Sequence, residues 1–242
     1  ARSTDDGRTW EPLYDLSRHR DGDVSQAHFI NVALAAADAQ DLPGRTPRDS
    51  GRVVFLWGSG AYRKSSPRLA RVAARQIADR AALRFFTGFD QRGEPRWSDR
   101  ESDAVPLFRH DVVGELSVAW IAPVERWLML YNSSEPRGIV MRSAPAPWGP
   151  WSAPEVVFHP GRDNGYGNFM HVSWERGERR DAFHDPKQEN KWGGCYGPYL
   201  IPRFASGDAR RCLIYYALST WNPYQTILAR SEIGAPLPDE PT

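Results

Sequence analysis

Short apolar runs separated by turn residues recur along the chain. They are Arg52–Trp57, Leu83–Phe86, Leu116–Trp120, Trp127–Tyr131, Ile139–Arg142, Val156–Phe158, Cys212–Leu218 and Thr226–Ala229. Their length and their β-branched and aromatic content predict strands. A Gly-Ser-Gly turn closes the first run, and Asn-Ser-Ser-Glu-Pro-Arg-Gly follows the fourth. The one stretch with helical composition is Leu69–Leu83, rich in Ala and Arg. It lies between two strands, and we read it as a strand running into a turn. The chain holds 20 Gly and 20 Pro, which favours many short strands over long helices.

Two patterns repeat. Trp, a small or acidic residue, then Pro and an apolar pair occur at Trp10-Glu-Pro-Leu-Tyr, at Trp97-Ser-Asp with Pro106-Leu-Phe, and at Trp151-Ser-Ala-Pro-Glu-Val-Val. A second set is Val53-Val-Phe-Leu-Trp, Trp127-Leu-Met-Leu-Tyr and Cys212-Leu-Ile-Tyr-Tyr, whose starts lie 74 and 85 residues apart. Repeats of this size, each with room for four short strands, predict the blades of a β-propeller. A β-sandwich would hold as many strands but gives no reason for the recurring Trp.

Ser3-Thr-Asp-Asp-Gly-Arg-Thr-Trp10 fits S-x-D-x-G-x-T-W, the Asp-box. The box is a hairpin turn between the third and fourth strands of a blade. Ser3 and Asp5 can bond turn amides, Gly7 can take a positive φ, and Trp10 can pack under the turn. Asp5 and Asp6 are therefore structural. The expected domain is one propeller over residues 1–242. Residues 1–15 would be the hairpin of an incomplete first blade, and 234–242 a tail. At about 60 residues per blade the chain supplies roughly four blades.

Charge and composition narrow the function. Hydrophobic residues make up 40% and charged residues 25%, as in ordinary globular proteins. The formal net charge is +1, without the basic excess that phosphate contacts to a nucleic acid need. No apolar run approaches the roughly 18 residues of a membrane span. Among the 31 basic residues only Lys64, Lys187 and Lys191 are lysines. GC-rich coding explains that bias, as does planar recognition of polar ligands by guanidinium groups. Cys195 and Cys212 are the only cysteines and make no metal-ligand spacing. They read as two thiols or as one bridge. No metal or cofactor is expected. Nucleophile-elbow, P-loop and dinucleotide fingerprints do not occur. The chain opens Ala-Arg-Ser-Thr-Asp-Asp, with no apolar stretch of a signal peptide. A mature secreted chain would look the same.

Six segments together resemble one family. They are Phe29-Ile-Asn-Val, Trp57-Gly-Ser-Gly-Ala-Tyr-Arg-Lys-Ser65, Gly114-Glu-Leu-Ser-Val-Ala-Trp120, Pro147-Trp-Gly-Pro-Trp-Ser152, Gly194-Cys-Tyr-Gly-Pro-Tyr199 and Leu218-Ser-Thr-Trp-Asn-Pro-Tyr-Gln225. From about residue 29 to residue 233 the chain resembles the endo-D-arabinanase-like glycoside hydrolase family, mainly actinobacterial and formerly a domain of unknown function. The resemblance implies a five-bladed β-propeller, secreted or at the cell surface, that cleaves a furanoside polysaccharide such as D-arabinan. The family's proposed acid/base aspartates lie in a T-D-L-G stretch and a G-D-T stretch of its first blade. Neither stretch occurs here, since Thr4-Asp-Asp-Gly7 belongs to the Asp-box.

Within this chain Glu115 is the candidate catalytic residue. It lies in the apolar run Val112-Val-Gly-Glu-Leu-Ser-Val-Ala-Trp120. Alternation places Glu115, Ser117 and Ala119 on one face and Leu116, Val118 and Trp120 on the other. A carboxylate in such a strand needs partners. It either serves hydrolysis, which takes two carboxyl groups, or ties adjacent blades together. Tyr62 and Arg63 follow the Gly-Ser-Gly turn after Trp57, and all three are candidate substrate contacts. Tyr196, Tyr199, Trp221 and Tyr224 offer flat rings to sugar faces, and Asn222 offers an amide. Asn168 and His171 sit in the polar loop Asp163-Asn-Gly-Tyr-Gly-Asn-Phe-Met-His171. The charged segment Trp174–Trp192 reads as a solvated excursion. Arg63, Glu115, Tyr196 and Trp221 are expected to converge at one end of a central funnel. A carbohydrate-binding or scaffold propeller without catalysis is the alternative to the hydrolase.

Overall fold

The computed structural model describes residues 1–17, 27–43, 51–61, 64–110, 112–172 and 191–234. They form two compact units. Unit 1 comprises Ala1–Val113 with the short segment Ala146–Pro150, and unit 2 comprises Gly114–Pro145 with Trp151–Thr242. Regular structure is antiparallel β throughout. The helical elements among the described residues are single 3₁₀ turns such as Ala74–Gln76 and Pro202–Phe204. None of the described helices is long and apolar enough to cross a membrane.

Unit 1 holds one five-stranded meander: β1 (Asn31–Asp38), β2 (Arg52–Ser59), β3 (Arg68–Ala73), β4 (Arg84–Phe89) and β5 (Pro95–Ser98). The strand β2 is apolar at nearly every position because both faces of the sheet are covered. On one side Leu56 joins Phe29, Ala70, Val72, Leu83 and Phe85 in a buried cluster. On the other Phe55 and Trp57 meet an aromatic layer. Phe55 lies 5.7 Å from Trp57 and 6.3 Å from Trp148, and Trp148 lies 6.2 Å from Trp97. Arg71 stacks on Trp97 at 4.3 Å, a cation–π contact. The Ala- and Arg-rich stretch at residues 69–83 becomes β3 and two 3₁₀ turns, Ala74–Gln76 and Arg80–Ala82.

Residues 2–11 make a hairpin closed by a single bridge, Arg2 to Glu11. Ser3 Oγ accepts the Gly7 N–H at 2.8 Å, and Asp5 accepts the Thr9 N–H and hydroxyl at 2.9 and 2.7 Å. The Trp10 indole N–H returns to the Gly7 carbonyl at 3.0 Å. These bonds favour the charged carboxylate. The Thr9 amide, then the Thr9 and Ser3 hydroxyls, hold the Asp5 carboxyl down at about 2. A depressed acid contributes order above its unfolded value and loses it as pH falls through its folded value. The Asp5 side-chain carbonyl resonance is therefore expected to titrate near 2, and the Thr9 amide to lose protection between pH 3.8 and about 2. A midpoint at the ordinary 3.8 would show that these bonds do not form.

Unit 2 packs two sheets face to face. One is the meander β6 (Leu116–Ile121), β7 (Arg126–Ser134), β8 (Arg137–Ala144) and β9 (Glu155–Phe158). The other contains β10 (Gly194–Leu200), β11 (Ser206–Gly207), β12 (Cys212–Trp221) and β13 (Gln225–Ile233). Both β10 and β11 pair with one edge of β12, and β13 with the other. Leu128, Leu130, Ile139 and Met141 of the first sheet meet Leu200, Ile214, Tyr216 and Leu218 of the second. Ser117 Oγ accepts the Leu200 N–H across the layer at 2.8 Å. Cys212 is buried, Cys195 half-buried, and no disulfide joins them.

The strands β2, β7 and β12 are the second strands of their sheets in chain order, apart from the short β11, and they carry the sequence repeat noted above. Within β10 the register slips once. Tyr196 pairs with Ser219, but Tyr199 pairs with Ala217, so three residues of β10 span two of β12. Gly197, at φ +58°, absorbs this bulge.

Candidate functional site

The site is built where β6 and β10 begin. Gly114 and Glu115 together stand opposite Asn132 near the end of β7. The Gly114 N–H donates to the Asn132 carbonyl at 3.0 Å, and the Asn132 N–H to the Glu115 carbonyl at 3.4 Å. This two-against-one pairing leaves no room for a side chain at 114, where a Cβ would strike the Asn132 amide. Ser117 bonds to Leu200, so alternation turns Glu115 toward the β10–β13 sheet as well. Asn132 faces the same way, continuing the buried Leu128 and Leu130.

Two acceptor oxygens meet this layer without a donor. Glu115 Oε2 and Asn132 Oδ1 are both buried, and neither has a hydrogen-bond partner. An unsatisfied buried acceptor costs about 1–3 kcal/mol, and such atoms mark places where a group is bound or moved. What fits each of these acceptors is a donor, such as a sugar hydroxyl.

Further side chains ring the same end. In the β7–β8 turn, Arg137 donates to the Tyr166 hydroxyl and lies 5.6 Å from both the Tyr166 and Trp192 rings. Tyr166 and Trp192 meet edge to face at 4.8 Å. Asn132, Arg137, Tyr166 and Trp192 were not singled out in the sequence. A polar residue directly after Trp127–Tyr131 was the available signal for Asn132.

The structure sorts the expected residues into three groups. Trp57 and His171, both expected as substrate contacts, are fully buried. The Trp57 indole donates to the Pro147 carbonyl at 3.0 Å inside unit 1. The His171 main chain is clamped between Asn222 and Gly193. Asn222 is likewise committed. Its amide donates to the Lys191 and Trp192 carbonyls at 2.9 and 3.4 Å, while its own carbonyl accepts the His171 N–H at 3.0 Å. It positions the start of β10. Asn168 is exposed and ties its own loop by donating to the Asn164 carbonyl at 2.6 Å.

The aromatic set forms the second group. Tyr199 is 68% exposed, Tyr224 81% and Trp221 45%. Tyr196 and Tyr199 pair with Ser219 and Ala217, which lie on the β12 face opposite the buried Ile214, Tyr216 and Leu218. They therefore share an end with Glu115 but not a face, because the sheet stands between them. The third group, Tyr62 and Arg63, lies outside the described residues, as does most of Trp174–Trp192.

Trp221 rests on Gly194, where a Cβ would collide with the indole. The Gly194→Ala variant is expected to push the ring off the sheet. A shifted tryptophan emission and a cost of about 1–3 kcal/mol in urea unfolding would follow. An unchanged spectrum would mean that the ring does not rest there.

Among the described residues no group of three or more His, Cys, Asp or Glu could hold a metal ion. What fold and site define is an all-β protein of antiparallel sheets in which one buried carboxyl oxygen of Glu115, at the start of β6, has no donor among the described residues. The chain belongs to the family described as domain of unknown function (DUF4185), whose model matches residues 1–230. No curated protein matches it. Among solved structures, the chain is similar to an α-L-arabinofuranosidase from Podospora anserina in complex with cellotriose. The two share 15% identity at a TM-score of 0.34, over 91% of this chain and 56% of that one. The chain thus spans just over half of that enzyme's length, and the likeness is too distant to bear on function.

Proposed function

We propose that this chain belongs to a glycoside hydrolase acting on a furanoside polysaccharide, with endo-cleavage of D-arabinan of the arabinogalactan or lipoarabinomannan type as its reaction. The observation that carries the proposal is Glu115 Oε2, buried and without a donor among the described residues. Hydrolysis of a glycosidic bond takes two carboxyl groups, about 5–5.5 Å apart for retention or roughly 6.5–9.5 Å for inversion. In this reading Glu115 is one of them. It exchanges a proton with the glycosidic oxygen while Asn132 Oδ1 accepts a sugar hydroxyl. The resemblance supports the furanoside substrate, a secreted or cell-surface location and a five-bladed propeller. The two meandering sheets and the equivalence of β2, β7 and β12 agree with blades.

A second reading is a carbohydrate-binding propeller without catalysis. It is favoured by one observation: the exposed rings of Tyr199, Trp221 and Tyr224 form a stacking surface apart from Glu115. One experiment separates the two. The protein is incubated with arabinogalactan, released oligosaccharides are followed by mass spectrometry, and binding is measured in parallel by affinity electrophoresis. Release of oligosaccharides supports the hydrolase. Retardation without release supports the binding module. Neither release nor retardation overturns both.

A further inference from the structure

Unit 1 contains a cavity of about 640 Å³ with no assigned role. Its volume lies within the roughly 300–1,000 Å³ of small-molecule sites. Its wall comes from the start of the chain leading into β1, from the β2–β3 connection, and from residues 105–109. Four basic side chains line it: His28, Lys64, Arg68 and Arg109. No carboxylate is among the described lining residues. Glu101, whose charge reaches His28 and Arg68, is committed elsewhere. It accepts the His28 N–H at 2.9 Å and the Ser17 hydroxyl, and it lies 3.9 Å from Arg80.

Arg2 pairs with Glu11, and Arg100 with Asp103. The Lys64 and Arg109 side chains make no hydrogen bond or ion pair among the described residues. Arg68 is half-buried and spends one N–H on the Ala104 carbonyl at 3.1 Å. Its remaining guanidinium donors have no acceptor among the described residues. Burial holds His28 below its ordinary titration range, and the charge of Arg68 pushes the same way against Glu101. The hydroxyls add to the pattern. Ser66 Oγ accepts the His110 N–H at 3.0 Å, which leaves its own proton to donate. Ser65 Oγ accepts the Gly60 N–H at 2.7 Å and holds the turn in place.

Donors without acceptors, converging on one half-open cavity, select an acceptor-rich anion. Arg and Lys together bind phosphate and carboxylate oxygens by charge-assisted hydrogen bonds. The cavity is larger than an inorganic anion needs, and Val105, Pro106, Phe108, Ala27 and Ala61 give it an apolar wall. We propose that this cavity binds an anionic group, phosphate or carboxylate, carried on a small ring-bearing ligand such as a sugar. The site lies wholly in unit 1 and uses none of the groups around Glu115.

Calorimetry with three probes tests this at low ionic strength: D-ribose 5-phosphate, inorganic phosphate and D-ribose. The wild-type chain should bind the phosphate ester, bind inorganic phosphate more weakly, and give no heat with ribose. The Lys64→Ala/Arg109→Ala double variant should lose at least about tenfold in affinity for the ester. Both side chains are exposed, so its melting temperature should match the wild type and exclude unfolding as the cause. Added salt should weaken binding, as expected for exposed charges. The proposal is overturned if the ester does not bind, or if ribose binds as well as its phosphate. Undiminished affinity in the double variant would also overturn it. Equal affinity for inorganic phosphate and the ester would overturn the ring-bearing ligand.

Discussion

The Glu115→Gln variant should release oligosaccharide from arabinogalactan about 10²–10⁴-fold more slowly than the wild type, the usual loss when one acid–base group is removed. The substitution keeps the shape of the side chain and removes only its ability to exchange a proton. It also offers an N–H at a position where Glu115 Oε2 has no donor among the described residues. Stability is therefore expected to hold or rise while activity falls. This opposite movement is the diagnostic. A structural carboxylate tying two sheets together would behave differently, because its loss would lower the unfolding midpoint. Reducing-end assays and urea unfolding on the same preparation decide between them. A variant that melts earlier and keeps its turnover would remove Glu115 from the mechanism.

The largest loss of stability is expected at Trp57. Truncation of a fully buried Trp to Ala costs about 3–5 kcal/mol. The Trp57 ring is wholly enclosed between Phe55 and its neighbours. Truncation also strips the Pro147 carbonyl of its indole donor, which adds about 1–3 kcal/mol where the acceptor stays buried. Trp57→Phe should fall between wild type and Trp57→Ala, since it keeps a ring and loses the N–H. Denaturant midpoints at constant slope would show the order. If Trp57→Ala instead unfolds with the wild type and fails only to bind carbohydrate, the ring is a ligand contact after all.

Much of the fold can be read in the sequence where burial is complete. The strands β2, β7 and β12 are covered on both faces or at most positions, so their apolar runs stand out and share a repeat. Three strands are hidden for separate reasons. β1 reads Asn-Val-Ala-Leu-Ala-Ala-Ala-Asp, and its alanines favour helix. β5 is mostly polar. β10 contains two glycines and a proline, which ordinarily argue against a strand. Its pairing with β12 and its packing on β6 override local preference. For the site, Glu115 is conspicuous because a carboxylate in an apolar run demands an explanation. Asn132 is not, because a polar residue at a strand end is ordinary. The buried roles of Trp57 and His171 are invisible for a related reason. A sequence shows which side chains can bind a ligand, but not which have already found partners in the fold.

The slip in β10 changes the phase of that strand. Before Gly197 the odd-even alternation runs one way, and after it the other. Tyr196 and Tyr199, three residues apart, would point to opposite sides of an unbroken strand. One extra residue brings them to the same side and keeps Leu200 turned into the layer beneath. Straightening the bulge with every residue kept would restore the two-residue period from Tyr196 onward. It would send Tyr199 into the packed interior and Leu200 out to water, with no change in the chemistry of either residue. The paired tyrosines are thus a product of counting. Their common orientation is encoded by an insertion, and neither side chain specifies it.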